Sequence, residues 1–239
     1  LSLVGSEMCI RDSPNVEYGE GKQAKNLERL SLEAKVYFSL VKCIDDEIGR
    51  VLNALDEEGL TDNTLVIFAA DHGEMMGSHG RMAKGVIYDE ALLVPFIMRY
   101  PAQLKPQIND LMIGAQDIMP TLLGMLGLAD RLPDTVKGKN YSQGILTGDF
   151  GSVQKPQSSF YFMLKEKGVR TDRYSYVVQK DGNYLLFDNI KDPYQQTSLT
   201  LEEIPEKQAE FLKTELGNWL KVSEDTWAKE RKFANRINY

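Results

Sequence analysis

Apolar residues recur at helical spacing between Leu27 and Glu58. Val36, Leu40, Cys43 with Ile44, Ile48, Val51 with Leu52, and Leu55 share one face, while Lys42, Asp45, Asp46, Glu47 and Arg50 share the other. This pattern predicts a long amphipathic helix ending at a Gly59 cap. Its charges belong in water, and Cys43 is expected to be a small buried hydrophobe. Asp62-Asn63 then turns the chain into Leu65–Ala70, an apolar run of strand length and β-rich composition. Helix, short loop and buried strand make an αβ unit of the kind that builds doubly wound sheets. The run stops abruptly at Asp71, which is followed by His72 and Gly73.

Further on, Val86 to Ala91 reads as a short turn or helix, and Leu92 to Met98 as a second strand. Pro95 inside that run implies an edge, a bulge or an irregular entry. Leu111 to Ile113 is expected to be a short strand. Asp117 caps a helix running to about Leu126, with Pro120 tolerated in its first turn, and Gly127 closes it. Residues 130–151, rich in Gly, Pro and polar side chains, read as a surface connection. From Ser158 the texture changes to short strands, Phe160 to Leu164, Gly168 to Arg170, Tyr174 to Gln179 and Tyr184 to Asp188. Asp181-Gly182-Asn183 is a strong hairpin signal, so these strands are expected to pair antiparallel. A last helix, Ile204 to Val222, turns Phe211, Leu212, Leu216, Trp219 and Leu220 to one side. Trp219 and Trp227 are read as packing residues.

Composition narrows the class. Of 239 residues 42% are apolar, enough for a real core. The net charge of −7, with basic residues scattered, excludes a nucleic-acid surface, and no stretch is long and apolar enough for a transmembrane segment. Two cysteines, Cys9 and Cys43, make no disulfide framework.

The chemistry-bearing stretch is the one that follows the first strand. Ligands of open α/β sheets sit outside the carboxyl ends of strands, where Asp71 and His72 stand. The only two histidines, His72 and His79, lie in this one loop, and Gly73 permits the turn that would bring Asp71 and His72 to one metal ion. Asp71 offers a hard oxygen, suited to Ca²⁺ or Mg²⁺; His72 offers a nitrogen that also tolerates Mn²⁺ or Zn²⁺. Glu74 is expected to fix the loop by accepting hydrogen bonds.

Asp71-His72-Gly73-Glu74-Met75, Gly77, His79-Gly80, Lys84-Gly85, Tyr88-Asp89-Glu90 and Val94-Pro95-Phe96-Ile97 together resemble the second metal-binding motif of the sulfatase family, within the alkaline phosphatase superfamily. Ile118-Met119-Pro120-Thr121-Leu122-Leu123 and Gly168-Val169-Arg170-Thr171-Asp172-Arg173-Tyr174 extend the likeness, which spans roughly Glu28 to Trp219. The resemblance implies an α/β fold. Residues 14–150 would be the C-terminal part of an alkaline-phosphatase-like doubly wound sheet, and 151–239 a small antiparallel-sheet subdomain with a C-terminal helix. It implies that Asp71 and His72 ligate a divalent metal, most simply Ca²⁺, with Mg²⁺ or Mn²⁺ as alternatives. It also implies that Lys84 binds the sulfate group and serves catalysis there.

The same resemblance implies a formylglycine nucleophile made in a Cys-x-Pro-x-Arg context, which neither Cys9 nor Cys43 has. The N-terminal aspartates of the metal site have no counterpart either. The chain is therefore expected to be an inactive C-terminal fragment of a sulfuric ester hydrolase, and Leu1 to Ser13, which is similar to translated adapter sequence, a non-native leader. The substrate would be a carbohydrate, aryl or choline sulfate, met in the periplasm or outside the cell. The alternatives are a phosphonate monoester hydrolase or phosphodiesterase of the same superfamily, and a non-catalytic relative. Lys165, Arg170 and Arg173 are read as surface or pairing residues.

Overall fold

The computed structural model describes residues 27–163, 165–226 and 236–237. The expected leader and Trp227 lie outside the described residues. The chain divides into two units, one up to Lys105 and one from Pro106.

The first unit opens with α1, Leu27–Glu57. Its polar face carries the helical pairs Lys42–Asp46 and Glu47–Arg50, the latter 2.7 Å apart. The helix ends as the sequence predicts. Gly59 takes a φ of 65°, its amide donates to the Asp56 carbonyl at 3.1 Å, and the Leu60 amide donates to the Leu55 carbonyl at 2.9 Å. These two bonds make a Schellman cap. A single helical turn, Thr61–Asn63, leads to β1, Val66–Ala69. The Thr61 hydroxyl bonds the Asp56 carboxylate and, with Arg99 nearby, holds its pKa below the ordinary value.

Two expectations are corrected here. Cys43 is exposed, not buried, because the described residues cover the apolar face of α1 only in part. Leu40, Ile44 and Val51 on that face are 59%, 57% and 61% exposed. For the same reason β1 is half-buried rather than buried. Its strand partner among the described residues is β2, Phe96–Arg99, and the two run antiparallel with Val66 opposite Arg99 and Ala69 opposite Phe96. Pro95 falls immediately before β2, so its missing N–H costs the ladder nothing. Between the strands lie the loop described below and a short helix, α2, Asp89–Leu92.

The second unit begins with an extended segment. Among the described residues Leu111 to Ile113 pairs with no strand, contrary to expectation. The helix α3, Ala115–Met125, follows. Asp117 is buried three residues into it, and its carboxylate accepts the Gly114 amide at 3.1 Å and the Lys139 amide at 2.8 Å. Burial outweighs these bonds and pushes its pKa up. The expected surface connection contains one further helix, α4, Ser142–Thr147.

Four strands then form an antiparallel meander: β3, Ser159–Phe162; β4, Glu166–Arg170; β5, Tyr174–Gln179; and β6, Tyr184–Asp188. Gly182, at a φ of 91°, turns the β5–β6 hairpin, and Asp181 accepts the Asn183 amide at 2.9 Å. The final helix, α5, Glu206–Val222, packs Leu212, Leu216 and Leu220 onto Val169, Tyr176, Val178 and Leu186. Each fully buried leucine contributes about 1.5–3 kcal/mol by leaving water. Trp219 packs as expected: it stacks on Phe160 with centroids 5.7 Å apart and donates its indole N–H to Ser158 at 2.9 Å. A buried pair, Lys167 and Asp225 at 3.2 Å, ties β4 to the segment beyond α5.

Candidate active-site loop

The chain leaves β1 at Ala69 and reaches Asp71 and His72 two and three residues later. Their side chains come together, with His72 Nε2 3.4 Å from Asp71 Oδ2. The His72 amide also donates to Asp71 Oδ1 at 2.9 Å, which steers the carboxylate. His72 Nδ1 lies 2.8 Å from the Gly73 carbonyl. A carbonyl only accepts, so Nδ1 carries a proton, and in the neutral ring Nε2 is then the atom with the free lone pair. Asp71 is 85% exposed and His72 38%, so the pair faces solvent.

Gly73 is required for a steric reason. A Cβ there would lie 1.9 Å from the Glu90 carbonyl oxygen, because the Gly73 amide donates to the neighbouring Ala91 carbonyl at 2.8 Å. Met75, Ile87 and Ala91, all buried, anchor the loop beneath. Met76 and Gly77, at φ of 45° and 96°, form a tight turn closed by the Ser78 amide on the Met75 carbonyl at 2.7 Å. His79, at a φ of 51°, lies flat on Tyr88, with ring centroids 3.7 Å apart and planes within 8°, and its Nε2 is 3.9 Å from Glu90.

Glu74 closes the loop. Its carboxylate accepts the Ala83 amide, and more weakly the Met76 amide at 3.4 Å, while the Met75 amide donates to the Ala83 carbonyl at 2.9 Å. Ala83 has a φ of 66° and Gly85 a φ of 92°, so left-handed residues flank Lys84 on both sides. Of five non-glycine residues with positive φ among the described residues, three lie in this loop: Met76, His79 and Ala83. Each costs on the order of 1 kcal/mol or more, and such strain persists where the surroundings over-determine it.

The structure thus joins two of the three predicted site residues. Lys84 is exposed and pairs with neither Asp71 nor His72. No cluster of three or more His, Cys, Asp or Glu suited to a metal occurs among the described residues. The stacked His79–Tyr88 pair was not foreseen from sequence; nine residues separate the two, and no periodic signal links them. In the second unit Arg173 pairs with Asp188 at 2.8 Å, which holds the carboxyl below its ordinary range. Arg170 donates to the Thr171 carbonyl at 3.3 Å.

An αβ segment thus carries an acidic residue and a histidine side by side at its strand end, and likeness to known proteins identifies the family. The sulfatase family matches residues 12–128, and the C-terminal region of N-sulphoglucosamine sulphohydrolases matches residues 77–221. The chain belongs to the sulfatase family. It is 35% identical to an endo-4-O-sulfatase of Bacteroides thetaiotaomicron, over 86% of this chain and 44% of that protein. A Bacteroides thetaiotaomicron sulfatase structure determined in work on glycosaminoglycan metabolism superposes with a TM-score of 0.80 at 31% identity, over 98% of this chain and 53% of that one. The phosphonate monoester hydrolase of Agrobacterium radiobacter superposes with a TM-score of 0.69 at 26% identity, over 84% of this chain and 43% of that one. The chain spans about half the length of the curated relatives it matches. Its fold is the α/β fold of these sulfatases, the alkaline-phosphatase-like fold, over the part it covers.

Proposed function

We propose that this chain supplies one wall of a sulfuric ester hydrolase site, with Asp71 and His72 as ligands of a divalent cation and Lys84 as the residue that meets the sulfuryl oxygens. The observation that carries the reading is the 3.4 Å approach of Asp71 Oδ2 and His72 Nε2 at the end of β1. Two ligands about 2.3 Å from one ion and at right angles lie roughly 3.3 Å apart. The donors fit: Asp71 is an exposed carboxylate, and the His72 tautomer fixed by the Gly73 carbonyl leaves Nε2 able to coordinate. Ca²⁺ suits the oxygen, and Mg²⁺ or Mn²⁺ the pair. When bound, the cation would stabilise negative charge developing on the ester oxygens. Lys84 would add a point charge to the same end.

Two ligands leave a six- to eight-coordinate ion incomplete. We assign the remaining ligands and the nucleophile, a formylglycine, to polypeptide beyond these residues, and so take the chain to be part of a larger enzyme and inactive by itself. The exposed apolar residues Leu40, Ile44 and Val51 of α1 and the half-length match to the relatives support this. The substrate proposed is a sulfated carbohydrate, the class named for relatives such as the endo-4-O-sulfatase and an ulvan-active sulfatase of Formosa agariphila. The likeness to a phosphonate monoester hydrolase supports a second reading, a phosphoester or phosphonate hydrolase.

The test is hydrolysis by the intact enzyme that contains this chain, on a sulfated oligosaccharide, an aryl sulfate and a phosphonate monoester in parallel. Sulfate-ester cleavage that falls at least 100-fold in Asp71→Ala and Lys84→Ala is expected. Variants with unchanged rates would remove the assignment, and preference for the phosphonate ester would favour the second reading.

A further inference from the structure

The loop between Asp71 and Lys84 holds three non-glycine residues in the left-handed region, and the last of them immediately precedes Lys84. Ala83 has a Cβ, yet holds a φ of 66°. Left-handed alanine is disfavoured, so something must hold it there. Two contacts do so. The Ala83 amide donates to Glu74 Oε1, and the Ala83 carbonyl accepts the Met75 amide at 2.9 Å. Glu74 is itself fixed, because the Gly73 amide before it donates to the Ala91 carbonyl at 2.8 Å and Met75 after it is buried.

We propose that Glu74 is the positioning residue for Lys84. By capturing the Ala83 amide it keeps Ala83 left-handed, and so sets the direction in which Lys84 leaves the chain. The proposal rests on the reading of Lys84 as the anion-binding residue. The same oxygen, Oε1, takes two backbone N–H groups, Ala83 and Met76. This is the role of an acceptor, for which a charge is unnecessary; a neutral amide oxygen serves equally well. A general base would instead need the carboxylate. Glutamine at position 74 therefore separates the two roles.

The experiment uses the whole chain labelled for NMR, in four forms: wild type, Glu74→Gln, Glu74→Ala and Lys84→Ala. Three quantities are read. The three-bond coupling of Ala83 reports its φ, amide exchange reports protection of its N–H, and titration with inorganic sulfate, followed at the Lys84 and Gly85 amides, reports anion binding. In wild type and Glu74→Gln, Ala83 should stay left-handed and protected, with sulfate affinities within twofold of each other. In Glu74→Ala, Ala83 protection should drop at least tenfold, its φ should return to the ordinary region, and sulfate affinity should fall about fivefold or more. An Ala83 unchanged in Glu74→Ala overturns the proposal, as does Glu74→Gln behaving like Glu74→Ala. Sulfate binding untouched in Lys84→Ala would instead sink the anion-site reading, while the coupling and exchange still decide what Glu74 does.

Discussion

In the second unit Leu212 and Leu216 of α5 are fully buried against the four-stranded sheet, whereas Leu40 and Ile44, at the same helical spacing on α1, are 59% and 57% exposed. Both helices carry an apolar stripe of similar design. One stripe has found its sheet. The other lies along β1, across a groove of about 360 Å³ between Cys43, Ile48 and Leu52 and the strand residues Val66 to Phe68. A pair of antiparallel strands is marginal without further cover. The strained loop that carries the candidate chemistry therefore belongs to the unit with the less complete core. Amphipathic spacing states that a helix has a partner; it does not state that the partner lies in the same stretch of sequence.

The largest expected effect tests that contrast by truncation. Leu212→Ala should cost about 3 kcal/mol, since it removes a fully buried side chain and leaves a cavity in a close-packed core. Leu40→Ala should stay within about 0.5 kcal/mol, because its side chain leaves little water behind on folding. Urea unfolding of the two variants measures both. Equal losses would mean that α1 is covered in solution and that the contrast is wrong.

The same contrast explains what could be read in advance. The β5 and β6 boundaries, Tyr174–Gln179 and Tyr184–Asp188, were legible because Asp181-Gly182-Asn183 fixes the hairpin and hence the register. Gly59 was legible as a cap because its bonds are local. Burial of Cys43 was misjudged, since burial depends on what lies opposite, and periodicity carries no information about that. Within the loop, Asp71 and His72 are adjacent in sequence, so their approach was foreseeable. The grip of Glu74 on Ala83, nine residues away, was foreseen only as loop fixing; it depends on two left-handed residues whose angles no composition rule specifies. The Ser142–Thr147 helix, too short to show a period, was invisible among glycines and polar side chains.

A second, smaller effect is set by charge. In the second unit Asp188 is buried, and two nitrogens of Arg173 bond its Oδ2 at 2.8 and 3.1 Å. The Ile190 and Lys191 amides add to this at 3.2 Å each. Arg173 first, and these amides after it, lower the Asp188 pKa in the folded state. A depressed carboxylate pKa means that the unfolded chain binds the proton more readily. Its stabilisation is therefore complete above the ordinary aspartate pKa, near 4, and is lost as pH falls through the lower folded value. Asp188→Asn should flatten this acid limb while changing stability less than Leu212→Ala does, because Arg173 is 45% exposed and water screens the pair. Unfolding midpoints between about pH 3 and 7 measure it. An acid limb identical in wild type and variant would assign the loss to other carboxylates.

The smallest expected effect is the most informative about α1. The double variant Leu40→Glu with Ile44→Lys places an acidic residue four positions before a basic one on the exposed stripe. In the free chain this should leave stability within a few tenths of a kcal/mol, since the new pair supports the helix about as much as it disturbs it. Binding of an apolar fluorescent dye should fall, because two exposed hydrophobes of one stripe are gone. In the intact enzyme proposed above, the same change should be severe, for there the stripe would face packed hydrocarbon and two charges would be buried without water. Near-neutrality in one setting and collapse in the other would locate the missing cover on α1. Near-neutrality in both would mean that this helix keeps its apolar face in water throughout, and that the half-length match to the relatives has a different explanation.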